Sequence, residues 1–252
     1  MSKILCFSGA GLSAESGVPT FRDANGLWEN HRHEDVADFR TWRKNRELVF
    51  RFYSERRAAL AAVEPNPAHR MLAGWQRDFE THILTQNIDD LCERGGCREV
   101  VHLHGEITKM RCVSPSCQHV WSVGYQPWPT DAPCPACGFA EDVKPFVVFF
   151  YEDAPQYIKM YGLLASLEDD DCTVVIGTSG VVLPFQDLLR GTPGHKILCN
   201  LDPLESDWAD ALLFDEVIYG RAGAEADRLD KLVRGWMSRS KRQIVETYLD
   251  RP

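Results

Sequence analysis

The 252-residue chain has no apolar run long enough to cross a bilayer, and no charged, apolar and small-residue leader follows Met1. The first absence excludes a helical membrane span. The second argues against a secreted, disulfide-stapled fold and for a cytoplasmic location. Positive charge is also short: 28 Lys and Arg stand against 37 Asp and Glu, for a net charge of −9. The acids are spread along the chain rather than gathered into a tail. Binding a polyanion needs a cationic face, so nucleic acid is not expected as the main partner. There is no internal repeat and no low-complexity linker.

What is present is ordinary for a globular protein, with 44% hydrophobic and 26% charged residues in a chain long enough for one large domain and small inserted modules. Short apolar runs alternate with helical stretches, which predicts an α/β fold with a mostly parallel sheet. Strands are expected at Ile4–Phe7, His82–Thr85, Val100–Leu103, Val147–Phe150, Thr173–Ile176, Lys196–Asn200 and Glu216–Ile218. Thr41–Leu60 reads as a helix that Pro65 and Pro67 bring to an end, and Ala68–Arg77 begins another. Asp227–Met237 reads as a C-terminal helix with a charged, frayed tail after it.

Four of the nine cysteines carry a metal signature. Cys112 and Cys117 form C-x4-C, Cys134 and Cys137 form C-x2-C, and about sixteen residues separate the pairs. Each short spacer lets one turn aim two sulfurs at the same tetrahedral ion. The segment between them holds Trp121, Tyr125, Trp128 and the prolines 127, 129 and 133, too little to bury a core without a metal. Four thiolates leave no open coordination position, so the expected zinc is structural. Cys6, Cys92, Cys97, Cys172 and Cys199 read as reduced thiols in apolar surroundings.

Three further clusters could carry chemistry. Gly9-Ala10-Gly11-Leu12-Ser13-Ala14-Glu15-Ser16-Gly17 follows the first strand, where backbone amides can approach a pyrophosphate closely. Its spacing is not G-x-G-x-x-G, and an ordinary tight turn stays open as a reading. Thr85-Gln86-Asn87-Ile88-Asp89 ends another strand; it could bind a ligand there or cap the next helix. In His102-Leu103-His104-Gly105-Glu106 either imidazole could act as a base.

Taken together, these residues resemble the sirtuin family. The motif Gly9-Ala10-Gly11-x-Ser13-x-x-Ser16-Gly17-Val18-Pro19-x-Phe21-Arg22 is similar to the family's opening almost position by position. Thr85–Asp89, His104-Gly105, the four cysteines, Gly177-Thr178-Ser179, Asn200-Leu201 and Gly220-Arg221-Ala222 follow in the family's order, so that the resemblance covers roughly Lys3 to Leu232. It implies a Rossmann-like parallel sheet with an inserted zinc-ribbon module and an inserted helical module. The expected division is residues 1–34, 78–109 and 143–240 for the NAD-binding domain, 35–77 for the helical module and 110–142 for the zinc module.

The resemblance also implies NAD-dependent removal of acyl groups from protein lysine side chains, with NAD consumed to give nicotinamide and O-acyl-ADP-ribose. The acyl oxygen attacks the anomeric carbon of the nicotinamide ribose, and a base then activates a ribose hydroxyl. His104 matches that base, and Asn87 and Asp89 match residues holding the ribose and the nicotinamide amide. Gly9, Ala10, Gly11, Ser13, Phe21, Arg22, Trp28, Gln86, Gly177, Thr178, Ser179, Asn200 and Ala222 match the cofactor site. His102 is expected to be structural, since it points to the other side of its strand.

Val148, Phe149 and Phe150 match the segment that pairs with a substrate peptide, although Tyr151 stands where the family usually has Gly and Lys144 where it often has Arg. Tyr53 and Arg56, three apart on a predicted helix, resemble the Tyr-x-x-Arg pair that binds the carboxylate of succinyl-, malonyl- or glutaryl-lysine. Two rival readings accompany this one. The first is a sirtuin-like NAD-cleaving enzyme or mono-ADP-ribosyltransferase with weak deacylase activity. The second is a zinc-stabilised scaffold that senses NAD without turnover.

Overall fold

The computed structural model describes residues 2–20, 27–28, 31–204 and 210–249. In chain order the elements are β1 (Lys3–Ser8), α1 (Gly11–Ala14), β2 (Leu27–Trp28), β3 (His31–Arg32), α2 (His33–Val36), α3 (Arg46–Leu60) and α4 (Pro67–Asp78). Then come β4 (Glu80–Thr85), α5 (Leu91–Arg94), β5 (Val101–His102), β6 (Gly105–Cys112), β7 (Val120–Ser122) and β8 (Val143–Val147). The chain finishes with α6 (Tyr157–Ala165), β9 (Cys172–Ile176), α7 (Phe185–Leu189), β10 (His195–Asn200), β11 (Glu216–Tyr219) and α8 (Ala226–Leu249). Among the described residues, no helix is long and apolar enough to cross a membrane.

Six strands form one sheet in the order β11-β10-β9-β1-β4-β5, and every neighbouring pair is parallel. Such strands are covered on both faces, so they need continuous rather than alternating apolar runs. All five residues of β9 are buried. One face, with Ile4, Cys6, Ile83, Val174 and Ile176, packs on Leu72 and Trp75 of α4 and on Leu229 and Val233 of α8. Cys92, Cys97, Cys172 and Cys199 join Cys6 in that layer, all as free thiols. The other face, with Leu5, Phe7, Leu84, Val175 and Leu198, packs on Met160 and Leu164 of α6 and on Phe185 and Leu189 of α7. From β1 the chain proceeds to β4 on one side and later returns to β9 on the other. The carboxyl ends of β1 and β9 therefore flank a topological switch point, where open α/β sheets bind ligands.

A second core lies outside the sheet. Strands β7, β6 and β8 form an antiparallel sheet. Its Ile107, Met110, Val143 and Val147 share a buried cluster with Val49, Phe50, Phe52, Tyr53 and Leu60 of α3. Arg46, at the start of α3, donates to four carbonyls across that junction: Thr130 at 2.9 Å, Ala140 at 2.7 Å, Glu141 at 3.2 Å and Val143 at 2.8 Å.

Three expected elements differ. The helix predicted from Thr41 starts at Arg46, because Thr41 Oγ1 and Asn45 Nδ2 donate instead to the carbonyls of Glu34 and Asp35. The strand predicted at Val147–Phe150 ends where it was to begin: β8 stops at Val147 and lies against β6, not in the parallel sheet. The backbone of Phe150 turns instead to Ala37 and Phe39. The last helix runs through Leu249, well past Met237, since no Gly or Pro lies between Gly235 and Leu249 to stop it.

The bend from β5 into β6 depends on Gly105. Its φ is +84°, and a Cβ there would lie 2.1 Å from the carbonyl oxygen of Phe146. Gly105→Ala is expected to cost about 3 kcal/mol from the left-handed backbone plus the clash. A urea titration of both proteins measures this.

Candidate functional site

At the switch point two glycine turns press backbone against backbone. Gly9 N–H donates to Ile176 O at 2.9 Å, and Gly11 N–H donates to Gly177 O at 2.8 Å. A Cβ on Gly9 would sit 2.8 Å from Gly177 O, and one on Gly11 would sit 2.7 Å from Gly177 Cα. Gly177 itself has φ +61°. These glycines therefore serve loop-to-loop contact first, and the contact sets Gly9 against Thr178. Helix α1 is a single turn without a long-helix dipole, and its first amides are spent locally: Gly11 on Gly177 O, Leu12 on Gly9 O and Ser13 on Ala10 O. Ser16 Oγ is buried and has no partner among the described residues, the kind of orphaned hydroxyl that a polar ligand satisfies.

Neighbouring strand ends complete the edge. Gln86 Nε2 donates to Thr178 Oγ1 at 3.1 Å, and Asn200 Nδ2 donates to Thr178 O and Asp202 O, both at 2.7 Å. Ser179 Oγ accepts from Val181 N–H at 3.4 Å. Ala222 is buried beside Gly223, whose N–H bonds the Glu15 carboxylate. The residues at Phe21 and Arg22, and the side chain of Trp28, lie outside those described.

The hydroxyl of Ser13 is the hub of a buried polar cluster. His69 accepts at Nδ1 from Asn66 N–H at 3.2 Å, so its proton sits on Nε2, 3.3 Å from Ser13 Oγ. Asn87 Nδ2 also donates to Ser13 Oγ, at 3.1 Å. With two donors arriving, Ser13 must send its own proton to Asp89 Oδ2, 2.9 Å away. Asn87 is thereby oriented: its amide nitrogen is spent on Ser13, and its oxygen is left as an acceptor with no partner among the described residues. Burial drives His69 down to about 4, so the ring is neutral; burial raises the Asp89 carboxyl. Asn66 and His69 were not picked out by sequence reasoning. The signal was there in Asn66-Pro67, an N-cap followed by proline, and the two side chains do form a capping box.

His104 is held in the opposite tautomer. Its Nδ1–H donates to Gln86 O at 3.1 Å, leaving the lone pair of Nε2 to accept from Tyr157 Oη–H at 2.9 Å. Burial depresses its proton affinity, so near neutrality the ring is a free base. Tyr157, 53 residues on, had no sequence signal. His102 is structural as expected: its ring bonds Asn87 O and Glu93 Oε1, both at 2.9 Å. Burial would lower its pKa, but the Glu93 carboxylate outweighs that and raises it.

Tyr53 and Arg56 of α3 belong to the second core's side of the molecule. Tyr53 is fully buried, its ring stacked on Phe149 with centroids 5.8 Å apart. Burial pushes its phenol well above the usual range, so it remains a neutral hydrogen-bond donor. The Arg56 guanidinium lies over the Phe52 ring at 3.7 Å. Val148 N–H donates to His104 O at 2.8 Å, so the expected substrate segment is tied directly to the His104 backbone. Phe150 donates to Ala37 O and accepts from Phe39 N–H. Tyr151 has φ +63° and is 70% exposed, with the Arg40 guanidinium 3.5 Å from its ring centroid. The left-handed backbone that glycine would adopt easily is kept, and the ring is carried outward onto Arg40.

The four cysteine sulfurs lie within 4.8 Å of one another, with Cys112–Cys137 at 3.7 Å and Cys117–Cys134 at 3.8 Å. A tetrahedron with Zn–S of about 2.3 Å has edges of about 3.8 Å, so the set fits zinc and is far too open for disulfides.

The sequence matches the model of the Sir2 family over residues 9–184. The chain belongs to the Sir2 family. Among similar Sir2 proteins, an NAD-dependent protein deacylase of Helicobacter hepaticus is 41% identical, covering 87% of this chain and 92% of the relative. One of Vibrio cholerae is 38% identical over 94% and 96% of the two chains. Solved Sir2 homologues are similar in fold. One, a complex with ADP-ribose, has a TM-score of 0.80 at 33% identity, over 94% of this chain and 93% of that one. Another, an NAD complex, has a TM-score of 0.76 at 34% identity, over 93% and 90%.

Zinc is expected to carry the stability of the β6–β8 segment. Cys134→Ser should abolish stoichiometric zinc in elemental analysis and lower the thermal midpoint by several degrees. Retention of one zinc per chain would refute the assignment.

Proposed function

We propose that this chain is an NAD-dependent protein-lysine deacylase that prefers acyl groups ending in a carboxylate. The observation that carries the reading is the fixed His104 tautomer, a neutral base whose Nε2 lone pair lies at the ligand-binding edge of the sheet. Bound NAD supplies the electrophilic ribose carbon and the hydroxyls that receive the acyl group. Gly9, Ala10, Gly11, Gly177, Thr178 and Ser179 hold its phosphates and ribose, with Asn200 and Ala222 toward the adenine side. Gln86, Asn87 and Asp89 hold the nicotinamide ribose and amide, and Ser13 fixes their orientation. His104 takes the proton of a ribose hydroxyl at Nε2, and Tyr157 must yield its hydrogen bond there.

Tyr53 and Arg56 support the acidic-acyl preference. A neutral phenol and a guanidinium on one helix face offer three or more donors to a terminal carboxylate and nothing comparable to a methyl group. Acetyl-lysine remains a substrate without that contribution. Acylated lysines on proteins are the partners, entering beside Val148, Phe149 and Phe150.

Succinyl- and acetyl-lysine forms of one peptide, incubated with NAD and followed by mass spectrometry, test this. Succinyl is expected to leave faster, with Tyr53→Phe/Arg56→Met losing that advantage by roughly 10- to 100-fold, the worth of one or two charge-assisted hydrogen bonds. His104→Ala should be inactive on both. If NAD is cleaved while both peptides keep their acyl groups, the deacylase reading fails and NAD cleavage or ADP-ribosyl transfer replaces it.

The pH profile is a second test. Because burial lowers the His104 pKa, the acid limb of kcat/KM should have its midpoint below the ordinary imidazole value of about 6.5. A midpoint at or above that value would contradict the assignment.

A further inference from the structure

Beneath the turn that follows β8 lies a lysine with no exposed surface. Lys144 Nζ donates to Val147 O at 2.6 Å and pairs with Glu152 Oε2 at 2.8 Å, and it sits 3.8 Å from the centroid of the Phe149 ring. The same Glu152 oxygen accepts from Phe149 N–H at 2.9 Å, and Glu152 N–H closes the turn on Phe149 O at 3.1 Å. One buried ion pair thus occupies the inner polar groups of residues 147, 149 and 152. Val148 N–H and both backbone groups of Phe150 are bonded to His104, Ala37 and Phe39, which leaves Val148 O and the backbone of Tyr151 to face whatever docks.

We propose that Lys144 and Glu152 are positioning residues for the acyl-peptide: their buried pair sets the shape of the Val148–Tyr151 edge on which the peptide lies. This rests on the reading that the segment receives the substrate. The geometry has three features that a merely structural pair would not need. The pair bonds the backbone of the edge itself. It lies against Phe149, whose ring also stacks on Tyr53. It also closes the turn in which Tyr151 takes a left-handed conformation.

Burial brings Lys144 down to about 8 in spite of Glu152, with Arg111 and Arg43 lowering it further. The groups facing the pair are Arg111 of β6, 3.5 Å from Glu152 Oε1, and Arg43 from the turn before α3. Above pH 8 the ammonium becomes an amine, and Arg111 alone remains to balance the buried carboxylate. The folded-state pKa lies below that of the unfolded chain, so rising pH does not destabilise the whole fold through this group. The loss is local to the edge.

The test is the KM for a succinyl-peptide and for NAD between pH 7 and 9.5, in the parent, Lys144→Arg and Lys144→Met/Glu152→Leu. The parent's peptide KM should rise several-fold above pH 8 while its KM for NAD stays level. Lys144→Arg stays charged throughout and should remove the rise. The double variant replaces an ion pair by apolar groups of similar size, a change that commonly leaves stability intact. Its peptide KM should be about tenfold higher at every pH, the loss of roughly one net hydrogen bond's worth of positioning. Its thermal midpoint should stay within a few degrees of the parent's.

A flat parent profile together with an unchanged peptide KM in the double variant would overturn the proposal. Hydrogen exchange separates this from failure of the underlying reading. If succinyl-peptide does not slow exchange at amides 148–152 of the parent, the segment is not the peptide's seat. If it does slow them while the double variant binds normally, only the role of the pair is wrong.

Discussion

One buried hydroxyl ties the site together. Ser13 Oγ receives hydrogen bonds from His69 and Asn87 and gives one to Asp89, joining the turn after β1, the start of α4 and the loop after β4. A hydroxyl has one proton and two lone pairs, so this arrangement uses all of its capacity and leaves a single consistent direction for every bond. The Asn66 N–H fixes the His69 tautomer, and the direction that follows at Ser13 decides which end of the Asn87 amide faces outward. In a cluster so deeply buried, an unpaired member costs more than a made bond gains, so the cluster holds as a unit.

The parallel sheet explains why the polar groups meet where they do. Both faces are sealed by helices, so side chains that need water or a ligand are confined to the strand ends. The glycine turns at Gly9, Gly11 and Gly177 allow the ends of β1 and β9 to touch without side chains between them. The second core does the corresponding work around α3. Helix α3 and the β6–β8 sheet share one cluster, and Arg46 fastens the helix to the carbonyls of the cysteine-bearing segment. A metal bound by the four cysteines would therefore stiffen the support under Tyr53 and Arg56 as well as its own knuckles.

Much of this was legible in the chain. The apolar runs located all six strands of the parallel sheet to within two residues, and the cysteine spacing found a set of sulfurs whose separations fit one ion. Pro65 and Pro67 marked the entry to α4. The reading failed where local signals compete. Thr41–Asn45 has helical composition, but its side chains bond preceding carbonyls. Val147–Phe150 is apolar enough for a strand, yet Phe150 pairs with Ala37 and Phe39, a contact invisible without the fold. Strands β6 and β7 carry mixed, partly exposed residues and gave no clean alternation.

By itself, then, the sequence determined the parallel α/β fold, the thiolate set and the identity of the residues at the strand ends, because those depend on composition and spacing within a few positions. Tertiary structure alone decided their states. His104 is a base because Gln86 O and Tyr157 Oη, 18 and 53 residues away, take one nitrogen each. Tyr53 is a neutral donor because Phe149 and its neighbours exclude water from it. Tyr151 points outward because Arg40 lies where its ring can rest. Protonation, tautomer and side-chain direction are set by burial and by partners distant in the chain, and no local pattern encodes them.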